Sequence, residues 1–347
     1  MKIEDKERNI KKTSQRITAK LQEFNIKEKE EQRVKYGIIY QSPASTKLMT
    51  ADLKNIKLKE ENNYLERNSE SFSLTFKENK KNTKLSVSTL KLYIMGAMYL
   101  AKQNHFKEKN PDKLKTRVEI PLIEYASLMG KDVILEDDDI FNEDKEKKIK
   151  SRIDTARRKA KKDLDVMDNL FLKWEESGKT KSSDEKDYYE LNILDGKGII
   201  KGNIIMDFKK EFVHYLNNSY ISEIPMTFFE IDERNIIAIQ LAYKLCEHAK
   251  NSNNIRKGSN KRLKVETLLT GIGSLKTIED LEEEGDASHW LRRIREPLEN
   301  ALDYLQDIKF LDGWVYTNEK SIPLKKTQEQ KFDYVTFKNL YISYGVY

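Results

Sequence analysis

From Ser86 onward, apolar positions recur at regular spacing, and the period tells helix from strand. "SVSTLKLYIMGAMYLAKQN" places Leu90, Ile94, Met98 and Ala101 on one face of a helix. A short strand, "TRVEI", and a short helix after Pro121, "LIEYASLMG", follow, and then an acidic loop, "EDDDIFNED". The next helix, about 146–168, carries the stripe Ile149, Ile153, Ala156, Ala160, Leu164 and Met167, and its other faces are basic. "LFLKWEE", "DYYELNIL" and "GIIKGNIIMDF" read as strands around the turn "SGKTKSSDEK", before a helix "KKEFVHYLNN". Residues 1–84 are polar with weak periodicity. They read as a flexible, partly disordered arm with one helix near 13–35 and a loose strand at "SFSLTF".

Residues 232–347 run through the same order again. A helix, "DERNIIAIQLAYKLCEHAK", leads to a basic strand, "KRLKVE", a short helix, "TLLTGIG", and an acidic segment, "EDLEEEGD". A longer helical stretch, "HWLRRIREPLENALDYL", then precedes "FLDGWVYTN" and the closing strand "NLYISYGVY". In this alignment Arg152 and Arg158 correspond to Arg292 and Leu298, and Trp174 to Trp314. Residue identity between the halves is negligible, but a repeated order of elements is itself informative. It predicts an α+β, mainly helical fold made of two tandem winged helix-turn-helix domains, at 85–224 and 225–347, behind the arm. The third helix of each unit would be the recognition helix, and the hairpin after it the wing.

The stretch 289–305 keeps its apolar stripe straight through Pro297. Two readings fit. The proline kinks one helix, because it lacks the N–H that would bond back to Arg293, or it sits in the first turn of a new helix opened by Glu296. With Ile294 inward, Leu291, Leu298, Leu302 and Leu305 share its side at ~100° per residue. His289, Arg292, Arg293, Glu296 and Asn300 face away.

Composition narrows the chemistry. The 347 residues include 64 Lys and Arg against 58 Asp and Glu, a net charge of +6, with 13 Gly and one cysteine. A single cysteine excludes a disulfide framework or a cysteine zinc site within one chain, and Cys246 lies in an apolar run that reads as core. There is no glycine-rich phosphate loop. His105, His214, His248 and His289 form no metal-binding pair. Asp137, Asp138 and Asp139 could hold Mg²⁺ on their oxygens, with an ordinary acidic loop as the alternative; 279–286 is treated alike. Tyr220 and Tyr304 have no ligands beside them that would make them nucleophiles. No stretch approaches the ~20 apolar residues of a membrane span, and the N-terminus lacks a signal-peptide core, so a cytoplasmic, non-enzymatic protein without cofactor or metal is expected.

Cations cluster more tellingly. Between Asp144 and Lys162 stand ten Lys or Arg against three acids, and Arg152, Arg157, Arg158, Lys159, Lys161 and Lys162 lie off the apolar stripe. Such a helix can pack on its protein while offering charge to phosphates. A second cluster, Arg256, Lys257, Lys261, Arg262 and Lys264, enters a strand from a loop. The third is His289, Arg292, Arg293, Arg295 and Asn300, residue types that read base edges: arginine forks onto guanine and asparagine onto adenine. Each cluster has a plain alternative, a solvated basic face or loop.

At these residues the chain resembles the iteron-binding plasmid replication initiators with tandem winged-helix domains. The likeness covers about 86–347 and lies in "TARRKAKKDLDVMDNLFL", "GIIKGNIIMDFKKEFVHYL", "FFEIDERNIIAIQLAYKL" and "WLRRIREPLENALDYLQDIKFLDGWVY". It implies a first unit for dimerisation and phosphate contact and a second that reads repeated double-stranded DNA in the major groove. It also implies a dimer off DNA that binds as a monomer, and host initiator, helicase or primase as partners. The alternatives are a winged-helix transcriptional regulator or partition protein, and a Mg²⁺-dependent primase or nicking enzyme using the acidic run.

Overall fold

The computed structural model describes residues 36–51, 65–67, 70–76, 85–129, 143–177, 186–251, 261–324 and 332–346. The helix expected near 13–35, the acidic run Asp137–Asp139, and Arg256 and Lys257 lie outside the described residues. Among the described residues the fold mixes helices with four small sheets, all antiparallel.

The first described segment corrects the reading of 1–84 as an arm. Strand β1 (Tyr36–Gln41) pairs along its length with β9 (Tyr220–Pro225), and helix α1 (Pro43–Thr50) follows directly. Ser42 caps α1 by accepting from the Ser45 amide, and Ile39, Tyr40, Ala44, Leu48 and Met49 are buried. Five residues, "YGIIY", are too few to show a period, and their partner strand lies far along the chain. This segment fastens the two halves together. Ser45 hydrogen-bonds Tyr93 at 2.7 Å, Thr46 donates to Glu247 at 2.9 Å, and the Gly273 amide donates to Thr50 O.

The first repeat then runs α2 (Val87–Gln103), β4 (Arg117–Pro121), α3 (Leu122–Leu128) and α4 (Glu143–Asp168), closing on β7 (Leu194–Ile200) and β8 (Asn203–Phe208). The second runs α6 (Ile236–Asn251), β10 (Lys261–Lys264), α7 (Val265–Gly271), α8 (Ile278–Glu283) and α9 (Glu296–Asp307), closing on β11 (Leu311–Thr317) and β12 (Tyr341–Val346). Their sheets have one topology: first strand, last strand, middle strand, β4-β8-β7 and β10-β12-β11. The details repeat too. The first residue of the short helix, Leu122 or Val265, donates to the residue just before the last strand, Gly202 or Leu340. Both middle strands open on Leu-Asp-Gly, at 194 and 311, and both slip register between that Leu and Gly.

This overturns the pairing of Trp174 with Trp314. Strands β5 (Leu170–Ser177) and β6 (Lys186–Asn192) instead extend the β2 (Leu65–Arg67) and β3 (Glu70–Phe76) hairpin into a separate sheet, β2-β3-β5-β6. They are an insertion between α4 and the Leu-Asp-Gly strand. "GIIKGNIIMDF" is likewise not one strand but the β7–β8 hairpin, turned by Lys201 (φ 50) and Gly202 (φ 80). Two positive φ angles match the right-handed twist of a two-residue hairpin turn, and glycine meets that demand without a Cβ clash.

One core runs through both repeats. Between them, α5 (Lys210–Asn217) and β9 lead to a 3-10 turn, Met226–Glu230. The buried Lys91 of α2 donates to Phe229 O and Ile231 O, both at 2.6 Å. Burial pulls its pKa down to about 8, opposed by Glu233. From the second repeat, Tyr304 accepts from the Asp232 amide at 2.7 Å. The linker is thus pinned from both sides.

Cys246 is buried, and burial pushes its thiol up to about 12. His248, two residues on, lies 3.0 Å from the Tyr344 hydroxyl. Burial holds its pKa below 6.5, helped by Lys261 and Lys244 and opposed by Glu247. A depressed folded-state value means the neutral ring stabilises the fold above the ordinary pKa, and that contribution is lost as pH falls through the folded value. Thermal melts from pH 7.5 to 5.5 should show a falling midpoint, and His248→Phe should flatten that dependence. Equal slopes for both proteins would place the acid sensitivity elsewhere.

Candidate nucleic-acid interface

Helix α4 is long because its sequence feeds both of its faces. Ile149, Ala156, Ala160, Leu164 and Met167 are buried, and the helix packs on α2, α3 and β7. Its anchor is Asp163, only 2% exposed. One carboxylate oxygen accepts from Ser88 and Thr89, each at 2.9 Å, and from Ser86 at 3.3 Å; the other accepts from Tyr125 at 3.0 Å. These hydroxyls come from the capped start of α2 and from α3, so one carboxylate fixes α4 against both. Burial pushes the Asp163 carboxyl above its ordinary range, against the hydroxyl donors and Lys159, which favour the ionised form.

Opposite the buried stripe, Lys147, Lys150, Arg157, Arg158, Lys161 and Lys162 are exposed. At 100° per residue these six fall within an arc of about 140°, which also holds Asp154, Asp165 and Asp168 and, by position, Glu143 and Asp144. Asp165 is already engaged by Lys197 of β7 at 2.6 Å, and Lys197 reaches Asp168 at 3.1 Å. The β7–β8 hairpin therefore neutralises the acidic end of the helix and leaves the basic arc to dominate. Arg152 is exposed but lies outside that arc. Lys159 is not part of it: half-buried, it is ion-paired to Glu233 beside the linker.

In the second repeat the chain around Pro297 follows the second reading in outline: a helix opened by Glu296, with the proline in its first turn after a short preceding turn. That preceding turn is wound unexpectedly. Leu291–Arg295 is a π-helical turn that runs without a break into α9, with Arg295 and Glu296 both in the right-handed helical region. The Glu296 amide donates back five residues to Leu291 O. Winding wider for one turn accommodates a proline that has no N–H to give. The wider turn also shifts the register. Leu291, expected inward, is 41% exposed, while Trp290 packs edge-on against Tyr334 and tilts over Phe337.

The exposed side here carries His289, Arg292, Arg293, Glu296 and Asn300, as the periodicity predicts. Arg293 and His289 share the Asp286 carboxylate, at 3.0 and 2.5 Å, and these hydrogen bonds hold its pKa below the usual carboxylate range. Arg292 and Asn300 stand on the same face, both exposed. Arg295 does not. It is 7% exposed, bonded to Glu299 at 2.7 Å, with its guanidinium 5.7 Å from the Phe332 ring and 6.0 Å from that of Tyr316. The same shift of winding that exposes Leu291 turns Arg295 into the core. Asp303, at the acidic end, accepts from the Trp314 indole at 2.9 Å and so ties α9 to β11.

The loop-and-strand cluster is mostly structural where it is described. Arg262 lies 4.4 Å over the Tyr341 ring and donates to Asn318 O at 2.8 Å, to Glu319 O at 3.1 Å and to Ser321, building the turn after β11. Lys264 is paired with Glu266 at 2.5 Å, and Lys261 is half-buried in β10. A strand alternates its side chains between faces, and a count of cations cannot tell which of them a sheet turns inward. Sequence reasoning passed over Lys201 at the β7–β8 tip. The duplicated Leu-Asp-Gly was the signal that would have located that hairpin.

Among the described residues, no group of three or more His, Cys, Asp or Glu could hold a metal ion, and no helix is long and apolar enough to cross a membrane. No family model matches the chain, and no curated protein matches it. Among solved structures, the chain is similar to a crystal structure of domains 2 and 3 of RctB, with 11% identity over 87% of this chain and 98% of that one, at a TM-score of 0.43. A second crystal structure of RctB domains 2–3 aligns with 9% identity over 88% of this chain and 97% of that one, at a TM-score of 0.40.

Proposed function

We propose that the chain binds double-stranded DNA through two winged-helix units, as a sequence-specific, non-enzymatic replication initiator acting at repeated sites. The observation that carries the reading is the basic arc of α4. Six exposed cations lie along one helix face, the helix is anchored by Asp163, and a hairpin stands beside it. Phosphate contacts of this kind position a protein on a duplex without reading sequence. Reading falls to Arg292, Arg293 and Asn300 on the second unit, whose side chains suit guanine and adenine edges. The initiator role, with repeated sites, a dimer–monomer transition and host partners, rests on the family resemblance in the sequence. Two units in one chain suit a site longer than one helix can cover.

Binding-site selection from a random-sequence pool by the full chain should return one shared sequence. Arg292→Ala combined with Arg293→Ala should then cost ~1–3 kcal/mol on that sequence for each bidentate arginine–guanine pair removed, with binding to unrelated duplex largely kept. A pool that yields no preferred sequence would sink specific recognition. A double variant that keeps the preference would move base reading away from this face.

A further inference from the structure

We propose that the basic loop between α2 and β4 docks the acidic helix α8 of a second copy of this chain, so that copies on neighbouring sites join head to tail. The proposal rests on the repeated-site reading above. Residues 102–117 hold six Lys or Arg against two acids, and residues 279–286 hold six acids and no cation. Lys102, Lys107, Lys109, Lys113, Lys115 and Arg117 are all exposed. Among the described residues only Arg117 of these meets a carboxylate, that of Glu119 at 3.3 Å. On α8, Glu279, Glu282 and Glu283 are exposed and make no ion pair among the described residues. The two surfaces are opposite in sign and belong to different repeats.

Both surfaces are held in shape before any partner arrives. The chain leaves α2 through two left-handed residues, His105 (φ 48) and Phe106 (φ 65). Asn104, 1% exposed, fastens the far side of the loop: its amide donates to Lys115 O at 2.9 Å, and its side-chain oxygen accepts from the Lys115 N–H at 2.8 Å. Asn217 of α5 grips Glu108 in the same two-way manner, at 2.8 and 2.9 Å. On the other surface, Thr277 and Asp280 close a reciprocal cap on α8, at 2.7 and 3.2 Å, and Leu281 is buried beneath it. Little ordering entropy is therefore lost on contact. The loop enters β4 at the end where Thr116 O accepts from Phe208, a strand length of about 16 Å from the hairpin turn at Gly202. Its charge thus stands away from the hairpin tip and is open to a protein partner. Repeats in the same direction hold copies in one orientation, so neighbours must meet through unlike patches, a heterologous contact. Exposed ion pairs are individually weak, but a shared duplex raises the local concentration enough for several to count.

The test uses the full chain and two kinds of duplex. One carries a single copy of the sequence recovered from the random pool, and the other carries two in the same direction at a series of spacings. At low salt, wild type should fill the paired sites at the best spacing roughly tenfold more tightly than two independent sites, the combined weight of a few exposed ion pairs. Lys107→Glu with Lys109→Glu should remove that gain, as should Glu282→Lys with Glu283→Lys, while each variant keeps its affinity for the single site. All four substitutions in one chain again set opposite charges across the contact and should restore the gain. Every replaced side chain is exposed, so thermal melts should match wild type. No gain at any spacing for wild type would overturn the proposal, as would a fourfold variant that fails to recover it. A lysine variant that loses single-site affinity without rescue would overturn it too, and assign the loop to nucleic acid. Failure of the wild-type chain to bind even the single site would instead remove the duplex-binding reading itself.

Discussion

Asp163→Ala is expected to lower the stability of the protein by about 2–4 kcal/mol, through several buried hydroxyls left without an acceptor. Ser88, Thr89 and Tyr125 all donate to this carboxylate, from two different elements. Rotating a hydroxyl can recover some of the loss, which keeps the figure below a full penalty for each donor. Asp163→Asn keeps one acceptor oxygen and the shape of the protonated acid, and should cost clearly less. The pH dependence follows from the raised pKa: the folded state holds the proton more tightly than the unfolded chain. The contribution is therefore complete below the ordinary carboxylate value and is lost as pH rises through the folded one. Urea unfolding should show the Ala variant's midpoint falling with an unchanged slope. A change within about 0.5 kcal/mol, the range of an ordinary surface substitution, would mean that α4 is not anchored here.

Lys150→Ala, Arg157→Ala and Lys161→Ala together should weaken binding to every duplex by a similar factor. These three side chains lie together along one side of the exposed arc, and none contributes to the buried stripe. Alanine is the strongest helix former, so α4 should persist. If all three meet phosphates, the slope of log K against log salt should become shallower by roughly 0.9 for each phosphate no longer neutralised. Preference among sequences should hardly change. A triple variant with wild-type affinity and slope would mean that the arc faces solvent, and a selective loss on one sequence would mean that it reads bases.

Much of this was legible in the chain. The stripe of α4 and the repeated order of elements follow from apolar spacing, which local helical geometry imposes. What escaped depends on distant partners or on winding. Residues 36–51 read as an arm because the strand that pairs with β1, β9, lies far along the chain. The β5–β6 hairpin passed for a wing because strand pattern says nothing about which sheet a strand joins. Arg295 passed for a base reader because a period of 3.6 fails across a π turn, and the proline that causes it was in view. Arg262 and Lys159 show the limit for surface chemistry: their cations are consumed by the turn after β11 and by Glu233.

Duplex binding itself is best tested by the affinity of the full chain for random-sequence duplex across a salt series. Binding should be strong at low salt and fall linearly in log K against log salt, steeply enough for several phosphate contacts. Removing the α4 cations should make the line shallower. No binding at low salt, or binding indifferent to salt, would contradict a phosphate-binding role for this helix.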